Sequence, residues 1–117
     1  MKNNITQKNT NMDLVIKVKK LLDDNKANDI CEYDISKRNH IADFVIVASC
    51  DSNRQIFSLA DKVKKEFKKY LPNKNNPLEG MEMANWVVVD LNFAVVHLFL
   101  KEVRNYYKID ELLTDKN

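Results

Sequence analysis

The chain has 117 residues, 44% of them hydrophobic and 31% charged, which suffices for one small domain and is too short for two. Nineteen basic against seventeen acidic residues leave a formal net charge of +2, which excludes a histone-like basic protein and an acidic solvating tail. A single glycine excludes G-x-G-x-x-G and Walker loops, because a phosphate cradle needs two or three glycines where the backbone closes on its ligand.

The polar start, MKNNITQKNTN, lacks the apolar centre of a signal peptide and the Arg-rich amphipathicity of a transit peptide, so residues 1–11 are expected to be a disordered tail. From there Met12, Val15, Val18 and Leu22, widened by Ile16 and Leu21, recur at helical spacing, with Asn11 as the expected cap. DICEYDI (29–35) sets Cys31, Tyr33 and Ile35 against Ile30, Glu32 and Asp34, the alternation of an edge strand. A polar turn over 36–40, including His40, leads to FVIVA (44–48), a β-branched run for a strand covered on both faces. Ser52 and Gln55 then form a capping box ahead of Ile56, Leu59, Ala60, Val63, Phe67 and Leu71, the most regular helical stripe in the chain. Pro72 stops it, and PNKNNP is a loop. WVVVDL (86–91) and FAVVHLFL (93–100) predict two strands joined by a tight hairpin at Asn92. A short helical turn over 102–105 and a closing segment over 106–113, pinned by Ile109, Leu112 and Leu113, complete the domain, with 114–117 as a tail. The order of elements suits an α/β fold, a mixed β-sheet packed with helices.

Chemistry is sparse. Cys31 and Cys50 belong to no Cys-x-x-Cys or zinc-spaced cluster and read as reduced, intracellular residues. The turn Ser49-Cys50-Asp51-Ser52, with Asp90 on a later strand, has the layout of a nucleotidyltransferase, but the residue two beyond Asp90 is Asn92, so a second carboxylate for a metal pair is missing. Cys50 reads as a packed thiol and His97, alone among apolar neighbours on a strand face with Val95 and Phe99, as a histidine satisfied by a neighbouring backbone group or carboxylate. The lysines at 62, 64, 65, 68 and 69 have no aromatic or arginine among them for nucleic-acid stacking, and sixteen lysines and fifteen asparagines against three arginines are what an AT-rich genome writes. That face reads as solvated, with RNA binding as the alternative.

The charge is unevenly divided. From Glu79 onward the chain carries −3, against +5 for the first 78 residues, and this acidic third holds Trp86, Tyr106 and Tyr107. Aromatics of these types dominate interface energetics, and an acidic setting selects a basic protein partner over a phosphate backbone.

Lys26-Ala27-Asn28-Asp29-Ile30, Ala42 to Ser49, Ser52-Asn53-Arg54-Gln55, Glu79-Gly80 with Trp86 to Asp90 after five intervening residues, Val96-His97-Leu98-Phe99 and Arg104-Asn105-Tyr106-Tyr107 stand in one order over residues 12–113. In this series the chain resembles the ribosomal silencing factor family, RsfS or Iojap. The resemblance implies a nucleotidyltransferase-like topology without its active site, no enzymatic activity, no cofactor and no metal. It further implies a cytoplasmic translation repressor, able to dimerise, that binds the large ribosomal subunit through ribosomal protein number fourteen and blocks joining of the small subunit when nutrients are scarce. No membrane or DNA partner is expected. By position, Trp86 and Tyr107 match the family's aromatic contacts, with Tyr106, Glu79, Asp90, Glu102 and Arg104 around the same surface. Departures from the family pattern are Cys50 for a Gly, Asn92-Phe93 for a Gly-Asp turn, and Leu112-Leu113 for a Leu-Trp.

Overall fold

The computed structural model describes residues 4–37, 43–71, 78–79 and 85–114, with side chains from residue 10 onward except at 78–79. The expected turn residue His40, the loop 72–77, Gly80 and the side chain of Glu79 lie outside the described residues.

Helix α1 runs Asn4–Asp24, so it begins inside the stretch taken from sequence as a polar tail. Asn11 is therefore not its cap: it is buried in the helix, and its Nδ2 donates to Asp43 Oδ2 at 2.9 Å. Val15, Val18 and Leu22 are fully buried, whereas Ile16, assigned to the same stripe, is 56% exposed because it falls on the outer side of the turn. Lys26, at φ 72°, closes the helix by a Schellman arrangement in which Ala27 N–H donates to Leu22 O at 3.0 Å and Lys26 N–H to Asp23 O at 3.1 Å. Helix α2, Asn53–Glu66, starts where sequence placed it: Ser52 Oγ accepts from Gln55 N–H at 3.1 Å, and Gln55 Oε1 reaches back to the Asp51 N–H at 2.7 Å. Its apolar stripe is buried through Phe67 and, after a 3-10 turn at Lys68–Tyr70, Leu71.

Among the described residues five strands form one mixed sheet in the order β1-β2-β5-β4-β3: β1 Asn28–Asp34, β2 Phe44–Cys50, β3 Leu78–Glu79, β4 Trp86–Asp90 and β5 Ala94–Leu100. β2 and β5 are parallel and every other neighbouring pair is antiparallel. β1 is the expected edge strand, and β2 is buried at all seven positions. The β4–β5 hairpin turns at Asn92, φ 74°, whose N–H is held by Asp90 Oδ1 at 2.8 Å, asparagine being among the few residues that tolerate the left-handed region.

Register divides the sheet into two faces. Phe44, Ile46, Ala48 and Cys50 align with Ala94, Val96, Leu98 and Leu100, and with Val87 and Val89; α1 and α2 cover this face and form the main core with it. Val45, Val47 and Ser49 align with Val95, His97 and Phe99, and with Asp90, Val88 and Trp86. On this second face Ile35, Val45, Val47 and Phe99 make a smaller cluster under Val103, Ile109 and Leu113. Those three residues come from α3, Lys101–Tyr107, and α4, Ile109–Thr114, the two short helices that replace the expected helical turn and closing segment. The cover is partial, since Trp86, Val88, Asp90, Val95 and His97 remain only half-buried. Among the described residues no helix is long and apolar enough to cross a membrane.

Candidate functional site

The uncovered end of the second face is aromatic. Trp86 lies across Phe99, its direct partner on β5, with ring centroids 4.8 Å apart, and its Nε1 donates to His97 Nδ1 at 3.1 Å. Tyr107 approaches Trp86 from α3 at 5.3 Å, and Tyr106 meets Tyr107 edge to face at 5.0 Å and 89°. Tyr106 is 78% exposed and Tyr107 52% exposed. They stand on a helix, and both point outward because Val103 and Arg104 take its inward positions. Asn85, Trp86, Glu102, Val103, Tyr106 and Tyr107 line a groove of about 390 Å³ with the Glu102 carboxylate in its wall.

Arg104 sets the position of that helix. Its Nε and Nη2 donate to Asp110 Oδ2 and Oδ1 at 2.8 and 2.9 Å, and Nη1 donates to Asp29 O at 2.7 Å and to Ser49 Oγ at 2.8 Å. The Asp29 carbonyl is available because β1 bulges there, with φ 50° at Asp29 and a register shift between Asn28 and Cys31. The Tyr33 hydroxyl donates to Asp110 as well. Hydrogen bonding from Arg104 holds the Asp110 carboxyl below its usual range, and the same pairing raises the guanidinium. Lys108, at φ 52°, turns the chain between α3 and α4 so that Asp110 returns to Arg104.

The residues singled out from sequence are distributed accordingly. Trp86, Tyr106, Tyr107 and Glu102 converge on the groove. Arg104 is 7% exposed and engaged within the fold, where it secures α3 from below and stands outside the groove lining. Asp90 lies on the same sheet face as Trp86 but outside the groove, opposite Val95 and four residues down the strand, about 13 Å away. Glu79 occupies the β3 position opposite Val88. His97, read from sequence as satisfied by backbone or a carboxylate, is bonded to the Trp86 indole. Burial lowers its pKa to about 4, so near neutral pH Nδ1 carries the lone pair that accepts the indole hydrogen. Its place beside the groove was concealed because Trp86 and His97 meet only once the hairpin register is set.

The nucleotidyltransferase layout comes apart in the fold. Ser49 aligns with Phe99 and Asp90 with Val95, so the turn at 49–52 and Asp90 lie at opposite ends of the sheet. Burial pushes the Cys50 thiol up to about 12, and among the described residues no three His, Cys, Asp or Glu side chains are grouped to hold a metal ion.

Residues 8–117 match the family model described as "Ribosomal silencing factor during starvation". The chain belongs to the ribosomal silencing factor family. It is 42% identical over 91 residues to the ribosomal silencing factor of Chromobacterium violaceum, covering 78% of this chain and 74% of that one. A crystal structure of a Chromobacterium violaceum protein superposes with a TM-score of 0.77 at 34% identity, covering 91% of this chain and 88% of that chain. The mouse protein named "Mitochondrial assembly of ribosomal large subunit protein 1" is 29% identical over 97 residues, covering 80% of this chain and 42% of that one. As a ribosomal silencing factor the chain is a ribosome-associated repressor of translation.

Proposed function

We propose that this chain represses translation by docking its aromatic groove on the large ribosomal subunit, through ribosomal protein number fourteen, and that the docked protein sterically prevents the small subunit from joining. The observation that carries this reading is the cluster of Trp86, Tyr106 and Tyr107 on a half-covered sheet face with Glu102 beside it. Exposed aromatics at the centre of a patch are the residue types that anchor protein interfaces, and the carboxylate suits a basic partner. The mouse relative's name supports a large-subunit partner, and the family resemblance supplies the subunit protein. The mechanism is occlusion in the cytoplasm, with no catalytic step and no cofactor.

Sucrose-gradient sedimentation of purified subunits, with and without saturating protein, tests the mechanism: the 1:1 ribosome peak is expected to shrink, and undiminished joining removes it. Pull-down of large subunits tests the surface. Trp86→Ala and Tyr107→Ala, with folding checked by circular dichroism, are each expected to weaken binding by about 2 kcal/mol. Sedimentation of the free chain also reads the self-association that the resemblance implies.

A further inference from the structure

Trp86 and His97 stand on neighbouring strands without facing each other: the register sets Trp86 against Phe99 and His97 against Val88. An indole that merely packed on its cross-strand partner would need no contact with His97. Instead the ring leans along β5, keeping 4.8 Å from the Phe99 centroid while Nε1 donates diagonally to His97 Nδ1 at 3.1 Å. Packing on Phe99 fixes the plane of the indole. The hydrogen bond adds a choice that packing does not make, namely which edge of the ring lies along the strand and which is turned away.

The acceptor is itself held in place. The imidazole lies 5.9 Å from Phe99 with the two rings within 11° of parallel, and it is half-buried on a strand, where backbone pairing on both sides limits its movement. A lone polar side chain in FAVVHLFL thus has a definite use, as the acceptor for the N–H of a half-buried indole. We propose that His97 is a positioning residue for the partner-binding surface, accepting the Trp86 indole N–H and holding that ring, before any partner arrives, in the orientation the partner engages. The proposal rests on the reading of Trp86 as a partner contact. Its physical content is preorganisation: a large side chain already ordered in the free protein loses less freedom on association.

Two readouts on the full chain separate this from a merely structural role. The sequence holds one tryptophan, so a single indole N–H resonance in a nitrogen–proton correlation spectrum reports the hydrogen bond directly. Equilibrium binding to purified large subunits reports its consequence. His97→Phe keeps an aromatic ring on Phe99 and removes the acceptor, His97→Leu does so without a ring should Phe not fold, and His97→Gln restores an acceptor. In His97→Phe the indole resonance is expected to move and its hydrogen to exchange faster with water, and affinity is expected to fall about fivefold, or about 1 kcal/mol. His97→Gln is expected to recover both. Weakened binding in Trp86→Ala together with wild-type affinity in a folded His97→Phe or His97→Leu overturns the positioning role alone. An indole resonance unchanged in those variants overturns it as well. Wild-type affinity in Trp86→Ala overturns the underlying reading of Trp86, and this inference with it.

Discussion

Arg104 and Asp110, six residues apart on two different helices, are joined by paired hydrogen bonds at 2.8 and 2.9 Å across the left-handed turn at Lys108. Arg104 also reaches the bulged edge strand through Asp29 and its neighbour β2 through Ser49. One side chain therefore ties both short helices to two strands, and the helix that displays Tyr106 and Tyr107 is fixed from below. Helices of seven and six residues are too short to persist without such tertiary contacts.

Arg104→Met is accordingly expected to destabilise the fold by about 3 kcal/mol, the low end of the range for breaking a buried pair, because Asp110 is 34% exposed and regains water. Urea denaturation monitored by circular dichroism measures it. A loss below about 0.5 kcal/mol contradicts the anchoring role.

Stability is expected to fall on acidification in two stages. His97 is lowered to about 4 by burial, so below the unfolded value of 6.5 the unfolded chain takes up a proton that the native chain refuses. Between pH 6.5 and 4 the slope approaches about 1.4 kcal/mol per pH unit, with the loss complete below pH 4. The Asp110 carboxylate, also lowered, contributes stability that is fully present above the ordinary carboxylate range and is lost as pH falls from there through its lowered pKa. Urea midpoints at pH 7, 5.5 and 4.5 check this, and His97→Phe should flatten the upper stage.

Glu102 is exposed in the first turn of α3 and lines the groove. A charge in such a position acts mainly on encounter rate and salt dependence. Glu102→Lys is expected to slow association with large subunits severalfold at low ionic strength, with the difference shrinking above about 0.3 M salt. Stopped-flow association at two salt concentrations decides it, and equal rates at low salt remove the electrostatic contribution.

Ser52 caps α2 on the opposite face of the sheet. Ser52→Ala is expected to cost about 1 kcal/mol, lowering the melting temperature by about 4 °C, while leaving ribosome binding unchanged. Calorimetry and the pull-down together test the independence of the two faces.

Much of this architecture was legible in the residues because it is encoded locally. The stripe from Ile56 to Leu71, the Ser52–Gln55 cap, the unbroken FVIVA run and the Asn92 hairpin depend on spacing and on backbone preferences within a few residues. The readings that changed involve distant partners. Asn11 resembles a cap until Asp43 is brought beside it, and Arg104 resembles a surface charge until Asp110, Ser49 and Asp29 converge on it. Tyr106 and Tyr107 fall at the start of the expected closing segment because no cap or long stripe announces so short a helix.

The sequence by itself determined the kinds and order of most elements, the main core stripes, the acidic aromatic final third and the family, all of which follow from periodicity, composition and collinear motifs. Tertiary structure alone decided which of those aromatics share a groove, that Asp90 is a strand's length away, that Arg104 faces inward, and that His97 accepts from Trp86. The reason is physical: strand register and the Lys108 turn set separations between residues distant in the chain, and a shift of one position along a strand would send Trp86, Asp90 or His97 to the other face of the sheet.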